Sequence, residues 1–305
     1  KDRIIYSWTK EHWNSFKYLS VTTLILSIAI SEGCEKLDNL IRSIDKYFDT
    51  KDLLKYLNLH NNFVKKSVSV IYEKYASDDD VKSTSYFLEN TSKTILDGFK
   101  SFFKDRMHVY TDLLQKIGNN LRKSGDPYLD EPFPEKILFI PKIITRSIEI
   151  MQKASLIEGR ENLYIVIDAL RHPYEIRYLN RTINNFFTIA VNTTDEDRIK
   201  RLQNLQYNQS QIEKLDSIEY PDVISKAEDY SGIVKQNIQA CLEISDIYIS
   251  NTGDKDESIK QMTRQLIKYI ALMQHPGLIT PTAEERCMQA AVVARSNSGC
   301  ISRQV

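Results

Sequence analysis

No two cysteines in this chain lie close enough in sequence to suggest a metal clasp or a disulfide framework. Cys34, Cys241, Cys287 and Cys300 are widely spaced, form no CxxC pair, and have no histidine at ligand spacing. Four reduced, structural thiols in a cytoplasmic protein are the expectation. His12, His60, His108, His172 and His275 are equally scattered. Net charge is missing too: 41 Lys plus Arg balance 41 Asp plus Glu. The molecule as a whole therefore exerts no pull on nucleic acid or anionic lipid, although a local patch is compatible with that balance. A long apolar run is also lacking. The most apolar segment, Phe16 to Ile30, falls short of the roughly 20 residues a membrane span needs. Ser20, Thr22, Thr23 and Ser27 interrupt it, and no small-residue cleavage pattern follows. No membrane partner is expected. Internal repeats and low-complexity tracts are absent from the 305 residues.

What is present suffices for a folded protein of about two domains. The hydrophobic fraction of 42% supplies real cores, and 27% charged residues is ordinary for a soluble chain. Phe16 to Val21 reads as a short strand and Thr22 to Ser31 as a helix with a broad apolar face. Leu37, Leu40, Ile41, Ile44 and Phe48 recur at helical spacing. Further helices are expected over about 52–59, 61–76, 84–105 and 107–123. Asp78-Asp79-Asp80 reads as a solvated acidic loop, and Gly125-Asp126-Pro127 with Pro132 to Pro134 as a second loop. A helix over about 135–157 follows, with a kink or break at Pro141.

The pattern then changes. Tyr164 to Asp168, Phe186 to Val191 and Ile247 to Asn251 are apolar strands. Each precedes a helical stretch: Pro173 to Ile183, Asp195 to Leu205, and Glu257 to Met273. Such alternation predicts an α/β fold with a parallel sheet covered on both faces. His275-Pro276-Gly277 through Pro281 reads as a linker, and Thr282 with Glu285 as a capping box opening a new element.

Ligands of doubly wound sheets sit beyond the carboxyl ends of the strands, which is where Asp168 falls. A carboxylate there can hold a magnesium-bound water or orient a phosphate, and Arg171 can contact a phosphate bidentately. The competing reading makes Asp168 a helix cap and pairs Arg171 with a carboxylate such as Glu175. Arg122 follows the helix-breaking Gly118. Arg198 and Arg201 follow the second strand, where Arg198 could equally pair with acidic neighbours on its own helix. Asn251 closes the third strand before Gly253, where its amide could read a base edge.

In this order, Ile165 to Glu175, Phe186 to Arg201 and Asp246 to Gly253 resemble the P-loop kinase fold of deoxynucleoside monophosphate and dephospho-CoA kinases. G-x-x-x-x-G-K-[ST] is missing; the resemblance puts that phosphate loop before Lys1. The tail, Thr282 to Val305, resembles the opening helix and first strand of a zinc deoxycytidylate deaminase domain. Together, over roughly 107–305, the chain resembles the two-domain anti-phage deoxycytidine nucleotide deaminases of bacteria. The resemblance implies a P-loop-kinase-like parallel sheet over 1–274 with a large helical insert at about 33–106. It also implies a linker at 275–281 and, at 282–305, the first helix and strand start of a cytidine-deaminase-like domain.

It implies as well that the parent protein deaminates dCTP and dCMP by zinc-activated water, is restrained by a small inhibitory RNA, and forms a homo-oligomer. The kinase-like domain would be regulatory or nucleotide-sensing and could hold a Mg-nucleotide. The zinc motifs H-x-E and P-C-x-x-C are not in this chain, so no metal ligand and no catalytic residue is assigned. Ser302 and Arg303 become neighbours of the deaminase pocket, and Cys287 and Cys300 packing residues. The alternatives are a deoxynucleoside monophosphate kinase-like phosphotransferase using Asp168, Arg171, Arg198 and Arg201, and a non-catalytic nucleotide- or RNA-binding regulator.

Overall fold

The computed structural model describes residues 7–8, 10–12, 14–73, 75–160, 162–219, 236–253 and 255–274, with 277, 283–284, 286–288 and 290–291 beyond them. Contacts divide the chain into two units, Asn14–Tyr248 and a smaller one that joins Lys1–Trp13 to Ile249–Val305.

In the larger unit β1 (Phe16–Ser20) runs without a loop into α1 (Val21–Glu32). Ser20 makes the turn possible, because its Oγ accepts from the Thr23 amide at 3.4 Å and caps the helix. Val21, Leu24, Ile25, Leu26, Ile28, Ala29 and Ile30 are all buried. A helix apolar on every side must be central, and the hydroxyls of Thr23 and Ser27 are satisfied on the helix's own carbonyls at 2.8 and 2.7 Å.

Around α1 stand α2 (Cys34–Ile44), α3 (Lys51–Tyr72), α4 (Asp78–Tyr86), α5 (Ser92–Ser101) and α6 (Met107–Ser124). A π-helical turn, Phe87–Thr91, joins α4 to α5. A 3-10 turn, Pro134–Lys136, leads to α7 (Phe139–Ile157). α1 packs on α2, α3, α5 and α6. Leu37, Ile41, Leu53, Leu57, Phe87, Phe99, Phe103, Leu113 and Ile117 fill the spaces between helices, each stabilising the core by about 1.5–3 kcal/mol on transfer arithmetic.

β2 (Tyr164–Asp168) pairs parallel with β1, in register from Phe16↔Tyr164 to Ser20↔Asp168. α8 (Pro173–Thr182) then packs on α7. β3 (Ile189–Asn192), α9 (Asp195–Asn204), α10 (Gln209–Glu219), α11 (Ile238–Glu243) and β4 (Ile247–Ser250) follow. β3 and β4 form a second two-stranded sheet. Its start is pinned by the Thr188 carbonyl, which accepts from the Asp246 and Ile247 amides, both at 3.0 Å. In the smaller unit α12 (Lys255–Gln274) buries Ser258 and Ala271. No helix among the described residues is long and apolar enough to cross a membrane.

The chain is thus α/β and mostly helical, with small sheets. Several local expectations are corrected. The described strands make two pairs rather than one continuous sheet, because the core is built mainly by helices around α1. The stretches 52–59 and 61–76 merge into α3. Asp78-Asp79-Asp80 is the first turn of α4 and not a loop: Ser77 caps it, and three carboxylates there complement the positive end of the helix dipole. Pro141 neither kinks nor breaks α7, because it is the third residue of that helix, where the missing N–H has no partner to lose. Phe186 and Phe187 precede β3 rather than joining it, after Asn185 at φ 58°. Cys34 and Cys241 are buried free thiols, whereas Cys287 is exposed rather than packed. Thr282, Glu285, Cys300, Ser302 and Arg303 lie outside the described residues.

Candidate functional site

The parallel register of β1 and β2 sets Ser20 beside Asp168 at the carboxyl ends of both strands. Side chains alternate along a strand, so Tyr18 and Ser20 share a face with Val166 and Asp168. Tyr18 reaches diagonally across that face, and its hydroxyl donates to Asp168 Oδ2 at 2.5 Å. Burial, and then the bond to Asp168 and its charge, push the Tyr18 phenol up to about 12. It is therefore a protonated donor at every physiological pH. The Lys93 ammonium stands 5.5 Å from the centre of the Tyr18 ring, a cation-π contact that holds the ring from one side. Asp168 is exposed, and nothing among the described residues hydrogen-bonds its Oδ1.

After Asp168 the chain turns sharply at Ala169, whose φ of 68° is left-handed. Leu170 and Arg171 lead to His172, which caps α8 by accepting from the Tyr174 amide at 3.3 Å through Nδ1. The Arg171 backbone is held on both sides. Its amide donates to Glu175 Oε2 at 3.3 Å, and its carbonyl accepts from the Asn237 amide at 3.1 Å. The Arg171 guanidinium reaches Gln236 Oε1 at 3.5 Å.

Glu175 is the hub of this turn. Its Oε1 accepts from Arg122 Nε at 2.8 Å, with side chains only 3% and 1% exposed for Arg122 and Glu175. Arg122 also donates to Asn119 Oδ1 at 3.4 Å. Gly118 lies close by: a Cβ there would stand 3.5 Å from the guanidinium and from Ile25 of α1. Cys241 lies in the same buried region, its thiol pushed up to about 12 by burial and then by the Glu175 charge.

Asp168, Arg171 and Arg122 are therefore linked through one turn and one carboxylate. The other expected residues go elsewhere. Arg198 pairs with Asp216, joining α9 to α10, and Arg201 sits in the last turn of α9. Asn251 accepts from the Ser258 hydroxyl within the smaller unit. Sequence reasoning missed Tyr18 and Lys93. The signal for Tyr18 was present in its strand parity with Ser20, but only the register between distant strands assigns it a partner.

Among the described residues no group of three His, Cys, Asp or Glu side chains is arranged to hold a metal ion, so no zinc set is built here. Magnesium carried on a nucleotide asks less of the protein, commonly one or two carboxylates beside the phosphates, and the open Oδ1 of Asp168 fits that demand. A separate cleft of about 130 Å³ beside α4 and α7 is lined by Tyr75, Val81, Arg146, Glu149, Ile150 and Lys153. It is smaller than ligand pockets of roughly 300–1,000 Å³, and Arg146 and Lys153 are paired with Glu149 and Asp78. No protein-family model, curated protein or solved structure matches the chain.

Proposed function

We propose that this chain is the nucleotide-sensing part of a zinc-dependent deoxycytidine nucleotide deaminase, and that it binds deoxycytidine nucleotides at the carboxyl edge of β1 and β2. The observation that carries the binding reading is the alignment of Ser20 with Asp168 beside the capped start of α1. Strand ends of this kind are where open α/β sheets take ligands. Asp168 would hold the water shell of nucleotide-borne magnesium through Oδ1. Arg171, three residues on and braced at its backbone, would face the phosphates. Arg122 serves the site indirectly, by neutralising Glu175, the carboxylate that braces Arg171.

The deaminase assignment rests on the tail, 282–305, and its resemblance to the start of a deaminase domain. In the intact protein zinc would supply an activated water for attack at C4 of cytosine. Depletion of dCTP and dCMP during phage infection would be the outcome, with nucleotide occupancy of the kinase-like domain and a small RNA setting when it occurs. The pairing of Arg198 with Asp216 favours sensing over phosphoryl transfer, since that arginine, one of those a phosphotransferase would use, is committed to a carboxylate of α10 rather than to a migrating phosphate.

Calorimetry with dCTP, dCMP and ATP in magnesium tests the binding reading. Saturable binding of a deoxycytidine nucleotide that Asp168→Ala weakens supports it. Absence of heat for all three overturns it. Zinc content and dCTP-to-dUTP conversion by the parent protein test the deaminase assignment, which fails if neither is found.

A further inference from the structure

We infer that Lys93 is the phosphate-contacting cation of the site at the ends of β1 and β2, held beside it on the ring of Tyr18, and that it ranks the triphosphate above the monophosphate. This rests on the nucleotide-binding reading above and deepens it by naming the residue that meets the phosphate chain.

A π-helical turn delivers this lysine. Asp78 to Ser101 follow one another as α4, the turn Phe87–Thr91 and α5 without a break. A π turn inserts one residue, which rotates the helix beyond it by about 100°, and such turns occur frequently at functional sites. This one is fastened to β1: Glu89 Oε1 accepts from Lys17 Nζ at 2.6 Å and from Ser85 Oγ at 2.8 Å. Lys93 lies two residues past the turn, and its ammonium stands 5.5 Å from the centre of the Tyr18 ring.

The phenol keeps two opposite charges from cancelling. Its hydroxyl donates to Asp168 Oδ2 at 2.5 Å, so a neutral group, and not the lysine, serves the carboxylate. Lys17 and Arg122 are paired with Glu89 and Glu175. Lys93 is exposed and forms no ion pair among the described residues, although Asp97, one turn along α5, is near enough to act on the Tyr18 phenol. A cation over an aromatic face keeps its charge and its N–H donors. An ammonium so placed is a compact point charge for phosphate oxygens, and its attraction grows with the charge of the phosphate chain.

Calorimetry with dCTP and dCMP on the wild type, Lys93→Met and Lys93→Arg tests this. Lys93→Met keeps the apolar stem over the ring and should weaken dCTP by about tenfold, the scale of a hydrogen bond to a charged group. It should weaken dCMP less, so that the preference for dCTP over dCMP shrinks, while the thermal midpoint stays that of the wild type. Lys93→Arg should restore most of the dCTP affinity. Inorganic tripolyphosphate, which has no base, should compete with dCTP for the wild type, and Lys93→Met should weaken its binding as well. An unchanged dCTP-to-dCMP ratio in Lys93→Met, or an equal loss for both nucleotides with a lowered thermal midpoint, overturns the Lys93 assignment and leaves the nucleotide reading standing. No dCTP binding by the wild type removes that reading and this inference with it.

Discussion

Arg122 of α6 and Glu175 of α8 form an ion pair of 2.8 Å that is almost wholly withdrawn from water. The two residues are 53 positions apart, so the pair ties the helical layer to the turn that follows β2. Charges buried so deeply are costly unless each meets the other and its remaining valences are satisfied. Here the second oxygen of Glu175 takes the Arg171 amide, and Arg122 also reaches Asn119.

Removing one partner should therefore hurt more than removing both. Glu175→Ala is expected to lower stability by about 3–5 kcal/mol, because it strands a buried guanidinium. Pairing Arg122→Met with Glu175→Leu should recover much of that loss. Chemical denaturation of the three variants checks this, and a double variant as unstable as the single one would contradict it.

Ala169 provides an opposite case. Its left-handed φ of 68° costs a residue with a Cβ roughly 1–2 kcal/mol. Ala169→Gly relieves that strain at the price of a freer unfolded chain, so a gain of up to about 1 kcal/mol is expected. Ala169→Val should lose more than it gains in apolar contact. Thermal midpoints of both variants decide it.

Gly98 on α5 lies against the phenol of Tyr56 on α3. A Cβ there would overlap the hydroxyl and stand 2.5 Å from Cζ. The same hydroxyl donates to the Ile95 carbonyl at 3.3 Å. Gly98→Ala should force the helices apart and destabilise by about 1–3 kcal/mol, the usual cost of overpacking. An unchanged denaturation midpoint would show that Tyr56 moves aside freely.

Tyr18 makes stability depend on alkaline pH. Burial, and then the bond to Asp168, push its phenol up to about 12 from an ordinary 10.0. The folded state therefore holds this proton more tightly than the unfolded chain. The resulting stabilisation is fully present below pH 10 and disappears as pH rises from 10 to 12. Solvent screens a group 38% exposed, so the effect is modest. Tyr18→Phe should flatten that part of the stability profile; an identical profile would mean that Tyr18 titrates normally.

Most helices around α1 were legible because their apolar residues recur at helical spacing, although the single helix expected over 84–105 is divided by the π-helical turn Phe87–Thr91 into α4 and α5; β1 and β2 were legible because short apolar runs end in polar residues. The pairing of those strands was not. Tyr18 and Asp168 are 150 residues apart, and no local pattern encodes which strand lies beside which. Arg122 was recognisable as an arginine after a glycine, but its partner depends on how α6 and α8 pack. Asp78-Asp79-Asp80 misled because an acidic triplet reads as a solvated loop, although the same charges are favourable over the first turn of a helix. Phe186 and Phe187 misled because β propensity ignores the left-handed Asn185 before them.

The most direct measurement is a calorimetric titration of Mg·dCTP into the wild-type chain and Asp168→Asn, side by side. A nucleotide site at the ends of β1 and β2 predicts saturable, one-to-one binding that the substitution abolishes or weakens severely while leaving the fold intact. Equal binding by both proteins, or none by either, would contradict it.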